Sequence, residues 1–309
     1  MDHSGNILDV STNIIKEPIT DEPSIKPQIK HLVCSGGGIN GFLFYSVFKE
    51  SHAQQLWDFK NIQTYYGTSV GTLVGALILL ANSWEEIDNY LIHRPWENVF
   101  KFDLPILFES VDRRGVYNIQ HITSIISPFI LARDKTTDIT MQEFYELTNV
   151  DFHCIVTEIN SHTQLDVSYK THPDWKLVEA IYASCALPIA FAPLLKDGLC
   201  YADGSIIKNC SIAENLHNGA DPEETLAIYC VQQPEPIEPI DEESTMFDYI
   251  GCIMKNIIYR RTSHVYPDVK YAFKVPSMST TFTSIYELSN DKEKRIELLE
   301  GGKQYVKID

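Results

Sequence analysis

The sequence predicts an α/β fold of three layers, with a mostly parallel central sheet and helices on both faces. Short β-prone runs alternate with longer helix-like runs along most of the 309 residues, the pattern of parallel strands joined by helices. Two strand-to-helix junctions are rich in glycine, Ser35 to Gly41 and Gly67 to Gly71, as a backbone turning sharply against its neighbours requires. Leu226 to Val231 is continuously apolar, as befits a strand covered on both sides. Hydrophobic content of 44% and charged content of 22% are those of a globular protein. Residues 29–309 read as one domain without internal repeat. Residues 1–28 mix Asp, Ser, Thr, Asn and three prolines without periodicity, which reads as a flexible tail or surface strap.

Composition excludes several classes of function. A net charge of −17 and a pI near 4.9 argue against nucleic acid, because phosphate binding wants a basic face. The same charge disfavours strong attraction to anionic membranes. The local basic groups Arg113-Arg114, Arg260-Arg261 and Lys292 to Arg295 read as solvated faces. Seven scattered cysteines contain no Cys-x-x-Cys pair, and no basic-then-apolar leader precedes them. Reduced thiols and a cytoplasmic location are therefore expected. The longest apolar run, Leu73 to Ala81, is far short of the ~20 residues of a membrane span, so membrane contact would be peripheral. Oligomeric state is left open.

The elements follow in order. Lys30 to Cys34 is the first strand, and Phe42 to Gln55 an amphipathic helix. Ile62 to Tyr66 is the second strand, running into the apolar helix after Gly67, with Tyr65-Tyr66 in the core. Trp84 to Ile92 is a helix capped by Ser83, with Glu85 and Glu86 in its first turn. Phe100 to Phe108 and Ile125 to Leu131 are apolar segments containing Pro105 and Pro128. They read as buried packing, with a lid or lipid-entry rim as the alternative. Thr140-x-x-Glu143 is a capping box opening a helix. Phe152 to Ile159 and Gln164 to Tyr169 are β-prone, and Trp175 to Ala183 is helical. Asp197-Gly198 between apolar runs signals a hairpin. After an acidic, proline-rich loop from Gln233 to Glu243 come a helix from about Met246 to Tyr259, a strand from Val269 to Val275, and one charged closing helix from Ser284 to Tyr305.

Chemistry concentrates at Gly67-Thr68-Ser69-Val70-Gly71, a Gly-x-Ser-x-Gly sequence between strand and helix. In such a nucleophile elbow the serine hydroxyl stands above the sheet and the helix-start amides face developing negative charge. Helix capping by Ser69 is the plain alternative, but a cap needs no glycine on both sides. The earlier loop has two readings. Gly36-x-Gly38-x-x-Gly41 fits the dinucleotide fingerprint, yet the second strand ends in Tyr66-Gly67-Thr68-Ser69, where a ribose-binding acid should stand. Alternatively, Gly37 and Gly38 offer backbone N–H groups as an oxyanion hole beside Ser69, with Gly36 and Ile39 as outlying candidates. Asp203, followed by Gly204, lies at the end of a strand, where sites of open α/β sheets form. A serine also needs a base. His217 and His264 lie downstream, but neither occupies a strand-end turn.

Four ordered blocks make the chain resemble the patatin-like phospholipase family. They are Ser35-Gly36-Gly37-Gly38-Ile39-Asn40-Gly41, Gly67 to Gly71, Ala180 to Pro188 with Phe191 and Pro193, and Tyr201-Ala202-Asp203-Gly204 with Asn209. The resemblance spans about residues 31–211. It implies the patatin-like fold and a Ser–Asp dyad without histidine acting on acyl esters of phospholipids. Ser69 would be the nucleophile, Asp203 the general base, and Gly37 and Gly38 the oxyanion donors, with Gly67, Gly71 and Gly204 supporting them. No metal and no cofactor is implied. Three departures stand out: Asn40 where the family commonly has Arg or Lys, Ser205 where a second glycine is frequent, and Cys210 where proline is usual. Cys185 reads as small-residue packing near the site. Two other functions compete: a catalytically inactive lipid- or protein-binding relative, and a dinucleotide-dependent oxidoreductase using Gly36, Gly38 and Gly41.

Overall fold

A computed structural model describes residue 1, residues 28–101, 104–231, parts of 240–256, 266–278 and 282–307. The tail expected over residues 1–28, most of the loop from 233 to 243, much of the helix expected from 246 to 259, Arg260-Arg261 and His264 lie outside the described residues.

The first half of the chain alternates strand and helix as expected. Strand β1 (His31–Cys34) leads through a 3-10 turn (Gly38–Asn40) into α1 (Gly41–Ala53). Strand β2 (Thr64–Thr68) runs into α2 (Val70–Leu80), followed by α3 (Trp84–His93), where Ser83 caps by accepting from the Glu86 amide. Next come α4 (Leu104–Arg113), β3 (Gly115–Tyr117) and α5 (Ile119–Leu131). Then α6 (Met141–Thr148) begins at the Thr140–Glu143 capping box and leads to β4 (Asp151–Glu158) and β5 (Thr163–Val167). Helix α7 (Leu177–Cys185) precedes β6 (Ile189–Phe191), β7 (Leu194–Lys196) and β8 (Leu199–Asp203). The chain continues with α8 (Ile212–His217), β9 (Thr225–Val231), β10 (Tyr271–Pro276), α9 (Phe282–Asn290) and α10 (Lys292–Gly301).

The main sheet has the order β10-β9-β1-β2-β4-β8-β7, with β5 also on β4. The pairs from β10 to β4 are parallel, whereas the β4–β5, β4–β8 and β8–β7 pairs are antiparallel. One face carries the large core, with Phe44, Phe48, Leu77, Phe129, Phe144 and Ile181 packed over Leu32, Tyr65 and Phe152. The other face is thinner: Val33, Tyr66, Ile155 and Ala227 lie beneath Ile212 and Leu216 of α8. Tyr65 and Tyr66 are both buried, as expected.

Three expectations are corrected. The closing helix is two helices, because Asp291 accepts from the Lys294 amide and starts a new one. Arg295, expected on a solvated face, is instead buried and donates to the Leu288, Ser289 and Ile92 carbonyls, sealing helix ends left without intrahelical partners. Buried packing holds for α5, whose Ile122, Ile125, Ile126, Phe129 and Ile130 are enclosed. In the segment from Phe100 to Phe108 it holds for Phe100, which packs against the core, but fails for Phe108 on α4, which is 75% exposed. Pro128 is tolerated inside α5 because the Ser124 carbonyl, which proline cannot bond, accepts from Arg94 Nη1 at 2.9 Å.

Candidate active site

Register explains how two residues far apart in sequence come together. On β4, residues 151–155 pair with β2 and residues 156–158 with β8, while β5 pairs along residues 154–158. A strand has only two edges, so β5 takes one and β2 and β8 must share the other. They approach from opposite ends. Thr68, the last residue of β2, lies opposite Ile155, and Asp203, the last of β8, lies opposite Val156. The two strands meet tip to tip, and Ser69 Oγ donates to Asp203 Oδ2 at 2.6 Å.

Each partner is held from several sides. Ser69 has φ 53° and ψ −130°, a conformation that costs about 1–3 kcal/mol for a residue with a Cβ. Its amide donates to Ser184 Oγ at 3.0 Å, and its carbonyl accepts from the Thr72 amide. Ser184 Oγ also donates to the Ile155 carbonyl and lies 2.9 Å from Thr72 Oγ1, so one buried hydroxyl ties the elbow to β4. Glycine is required on both sides by close approach. A Cβ on Gly71 would lie 2.5 Å from the Cys34 and Ser35 carbonyl oxygens, and one on Gly67 2.5 Å from Thr72 Cα.

Asp203 is 1% exposed. Besides Ser69, it accepts from the Ser205 amide at 2.8 Å through Oδ1. Its backbone is fixed too, since the amide donates to the Ala186 carbonyl and the carbonyl accepts from Thr157 Oγ1. Gly204 is indispensable to this turn, as a Cβ there would sit 2.3 Å from the Ile155 oxygen. Burial pushes the carboxyl up to about 6, with the Ser69 and Ser205 hydrogen bonds opposing the rise. Neither Ser69 nor Asp203 has a histidine partner among the described residues. His217 ends α8, on the thin side of the sheet.

The glycine loop lies against Ser69, since a Cβ on Gly36 would fall 3.2 Å from Ser69 Cβ. The Gly36 amide is not available to a ligand, because it donates to the Asn209 carbonyl at 2.9 Å. That corrects the outlying candidacy of Gly36. Ile39 sits inside the 3-10 turn. The Gly37 and Gly38 amides donate to nothing among the described residues, and Gly38 has φ 52°. Seen chemically, a hydroxyl on a desolvated carboxylate beside two unspent amides can form and stabilise a tetrahedral oxyanion. The dinucleotide reading loses ground here, because one amide of the fingerprint loop is consumed and β2 ends without an acid. No group of three or more His, Cys, Asp or Glu that could hold a metal occurs among the described residues. Sequence reasoning missed the roles of Ser184, Thr157 and Asn209, although Ser184 and Asn209 stand within quoted blocks.

Comparison with known proteins bears on the family and fold. A family model described as patatin-like phospholipase matches residues 32–216. An uncharacterized protein of Acanthamoeba polyphaga mimivirus is 26% identical over 196 residues, covering 63% of this chain. The chain spans 64% of that relative's length. Among solved structures, VipD from Legionella pneumophila aligns with a TM-score of 0.49 and 14% identity, covering 89% of this chain and 67% of its own. The type III effector ExoU of Pseudomonas aeruginosa aligns with a TM-score of 0.46 and 11% identity, covering 90% of this chain and 52% of its own.

Proposed function

The chain belongs to the patatin-like phospholipase family, and from that premise we propose that it is a serine lipid acyl hydrolase of phospholipase A type. The observation that carries the reading is the 2.6 Å hydrogen bond from Ser69 Oγ to the buried Asp203 carboxylate. In solution a carboxylate of ordinary pKa is too weak a base to activate serine. Desolvation raises Asp203 to about 6, close to the working range of a general base at neutral pH.

In this mechanism Ser69 Oγ attacks the ester carbonyl while its proton passes to Asp203 Oδ2. The carbonyl oxygen becomes an oxyanion bonded by the Gly37 and Gly38 amides. Collapse of that intermediate expels the lysophospholipid alkoxide, which takes the proton from Asp203 and leaves an acyl-serine. Water then gives its proton to Asp203 as it attacks the acyl carbon. Departure of Ser69 returns that proton to Oγ and frees the fatty acid. Peripheral contact with lipid is supported by α4, which exposes Phe108 and Val111 and packs against β3, itself paired with β6 just after α7. The charge of −17 favours zwitterionic over anionic bilayers.

A fluorophosphonate probe tests the reading together with fatty-acid release from phosphatidylcholine vesicles. Wild type should be labelled and should release fatty acid and lysolipid, whereas Ser69→Ala should do neither. A folded wild type that is neither labelled nor active would overturn it in favour of a non-catalytic lipid- or protein-binding module.

A further inference from the structure

The turn that carries the Gly37 and Gly38 amides is anchored at both ends by asparagines. On the entry side, Asn209 accepts from the Gly36 amide through its carbonyl and donates from Nδ2 to the Gly36 carbonyl at 3.1 Å. On the exit side stands Asn40, whose side chain is fully enclosed. Its Nδ2 donates to the Pro276 carbonyl at 2.8 Å, and its Oδ1 accepts from the Met278 amide at 2.9 Å. Both backbone partners belong to the segment leaving β10, more than 230 positions along the chain. The Asn40 amide meanwhile donates to the Gly37 carbonyl at 3.0 Å, closing the turn on itself.

Such an anchor has a physical purpose. A three-residue 3-10 turn is weak by itself, and consecutive glycines leave its peptide planes with wide conformational freedom. Oxyanion stabilisation works only if the donors are already aimed before charge develops. An asparagine side chain holds an NH2 donor group and a carbonyl acceptor side by side in one plane, which matches the carbonyl and amide it meets. Aspartate would lack the donor, and alanine would leave two backbone groups without partners.

We propose that Asn40 is a positioning residue for the reaction, one that aims the Gly37 and Gly38 amides by fastening their turn to the exit of β10. The inference rests on the hydrolase reading above. It also extends the functional unit past the family match at residues 32–216. The C-terminal segment through Met278 becomes part of the machinery, with β9 contributing as well, since Ser35 donates to the Ile228 carbonyl and accepts from the Cys230 amide.

The test compares wild type with Asn40→Ala and the near-isosteric Asn40→Asp in the full chain. Three quantities are measured: turnover on phosphatidylcholine vesicles, affinity for a non-hydrolysable ether phospholipid, and affinity for a fatty-acyl trifluoromethyl ketone. Ser69 Oγ adds to that ketone and transfers its proton to Asp203, so the hemiketal oxygen occupies the oxyanion position. The expected result is a fall of about 10- to 100-fold in kcat, with a parallel loss of ketone affinity. KM and ether-lipid affinity should stay near wild type, while Tm falls modestly in variants that still fold, because the Pro276 carbonyl or Met278 amide loses its partner. Unchanged kcat in folded variants would overturn the proposal while leaving the hydrolase reading intact. Equal losses of ether and ketone affinity, or failure of both variants to fold, would assign Asn40 to stability alone and overturn it as well. A wild type that neither turns over substrate nor captures the ketone would sink the hydrolase reading, and this inference with it.

Discussion

Two carboxylates are buried on neighbouring strands of the same sheet, and the protein treats them in opposite ways. Asp151, at the start of β4, is 5% exposed. Lys170 Nζ lies 2.7 Å from its Oδ2 and His153 Nε2 3.2 Å from its Oδ1. Burial works to raise its pKa, but His153 and Lys170 win and hold it below the ordinary carboxylate value. Asp203, at the end of β8, is 1% exposed and has only a hydroxyl and an amide to lean on. Nothing cationic offsets its desolvation, so its pKa climbs. The same residue type, buried in both places though more deeply at Asp203, is a neutralised structural anchor in one and a base held ready in the other. The difference lies in whether a cation accompanies it.

The largest expected effect comes from removing the uncompensated charge. Asp203→Asn should lower kcat by about 10³-fold, the scale of general-base catalysis, yet make the fold more stable. The sign follows from linkage. The folded pKa near 6 exceeds the ordinary 3.8, so the carboxyl's contribution is complete below 3.8 and lost as pH rises through 6. At neutral pH the loss amounts to about 3 kcal/mol, which the neutral amide would recover. Urea unfolding at pH 7 beside vesicle assays checks both halves. A variant that keeps wild-type turnover would erase the contrast and reopen a search for histidine.

Asp151→Asn should do the reverse, leaving kcat within about twofold while destabilising the fold by about 1–2 kcal/mol, because buried His153 loses one of its counter-charges while exposed Lys170 loses little. Equilibrium denaturation reads this directly, and a variant as stable as wild type would show that the pairing is ornamental. Third in size is the pH profile. If ionised Asp203 is the base, kcat/KM should rise along a single limb with an apparent pKa near 6, so that activity at pH 5 is about a tenth of the plateau. A flat profile between pH 5 and 8 would contradict that role.

The smallest effect concerns His153, stacked on Tyr66 at 3.8 Å and bonded to Asp166 at 2.7 Å. Burial lowers its pKa, but Asp151 and Asp166 outweigh burial and leave it above the ordinary 6.5. Its stabilisation is therefore full below 6.5 and fades as pH rises through the folded value. The urea midpoint should drop modestly over that interval, and His153→Gln should flatten the drop.

Features of local backbone chemistry were legible in the sequence. The elbow glycines, the Thr140–Glu143 capping box and the Asp197-Gly198 turn, with φ 53° and 77°, each answer a demand made within a few residues. Features that depend on distant partners were not. Nothing near Asn40 announces Pro276 and Met278, and nothing near Ser184 announces Ser69. The alternation of strands and helices suggested a largely parallel sheet, but not that β8 would arrive from the opposite direction. Arg295 looked like one more surface cation because its neighbours Lys292 and Lys294 are. Only the packing of α10 against α3 and α9 reveals the carbonyls waiting for it.

The abutment of β2 and β8 on one edge of β4 has a consequence for how this protein can change. Separation between hydroxyl and carboxylate is set by the pleat of a third strand acting as a ruler, and not by the chain that links them across 134 positions. Loops, hairpins and whole helices in that stretch can lengthen or shorten without disturbing the spacing. A single residue inserted into β8 between Tyr201 and Asp203 cannot, because it would turn the acid to the wrong side of the sheet.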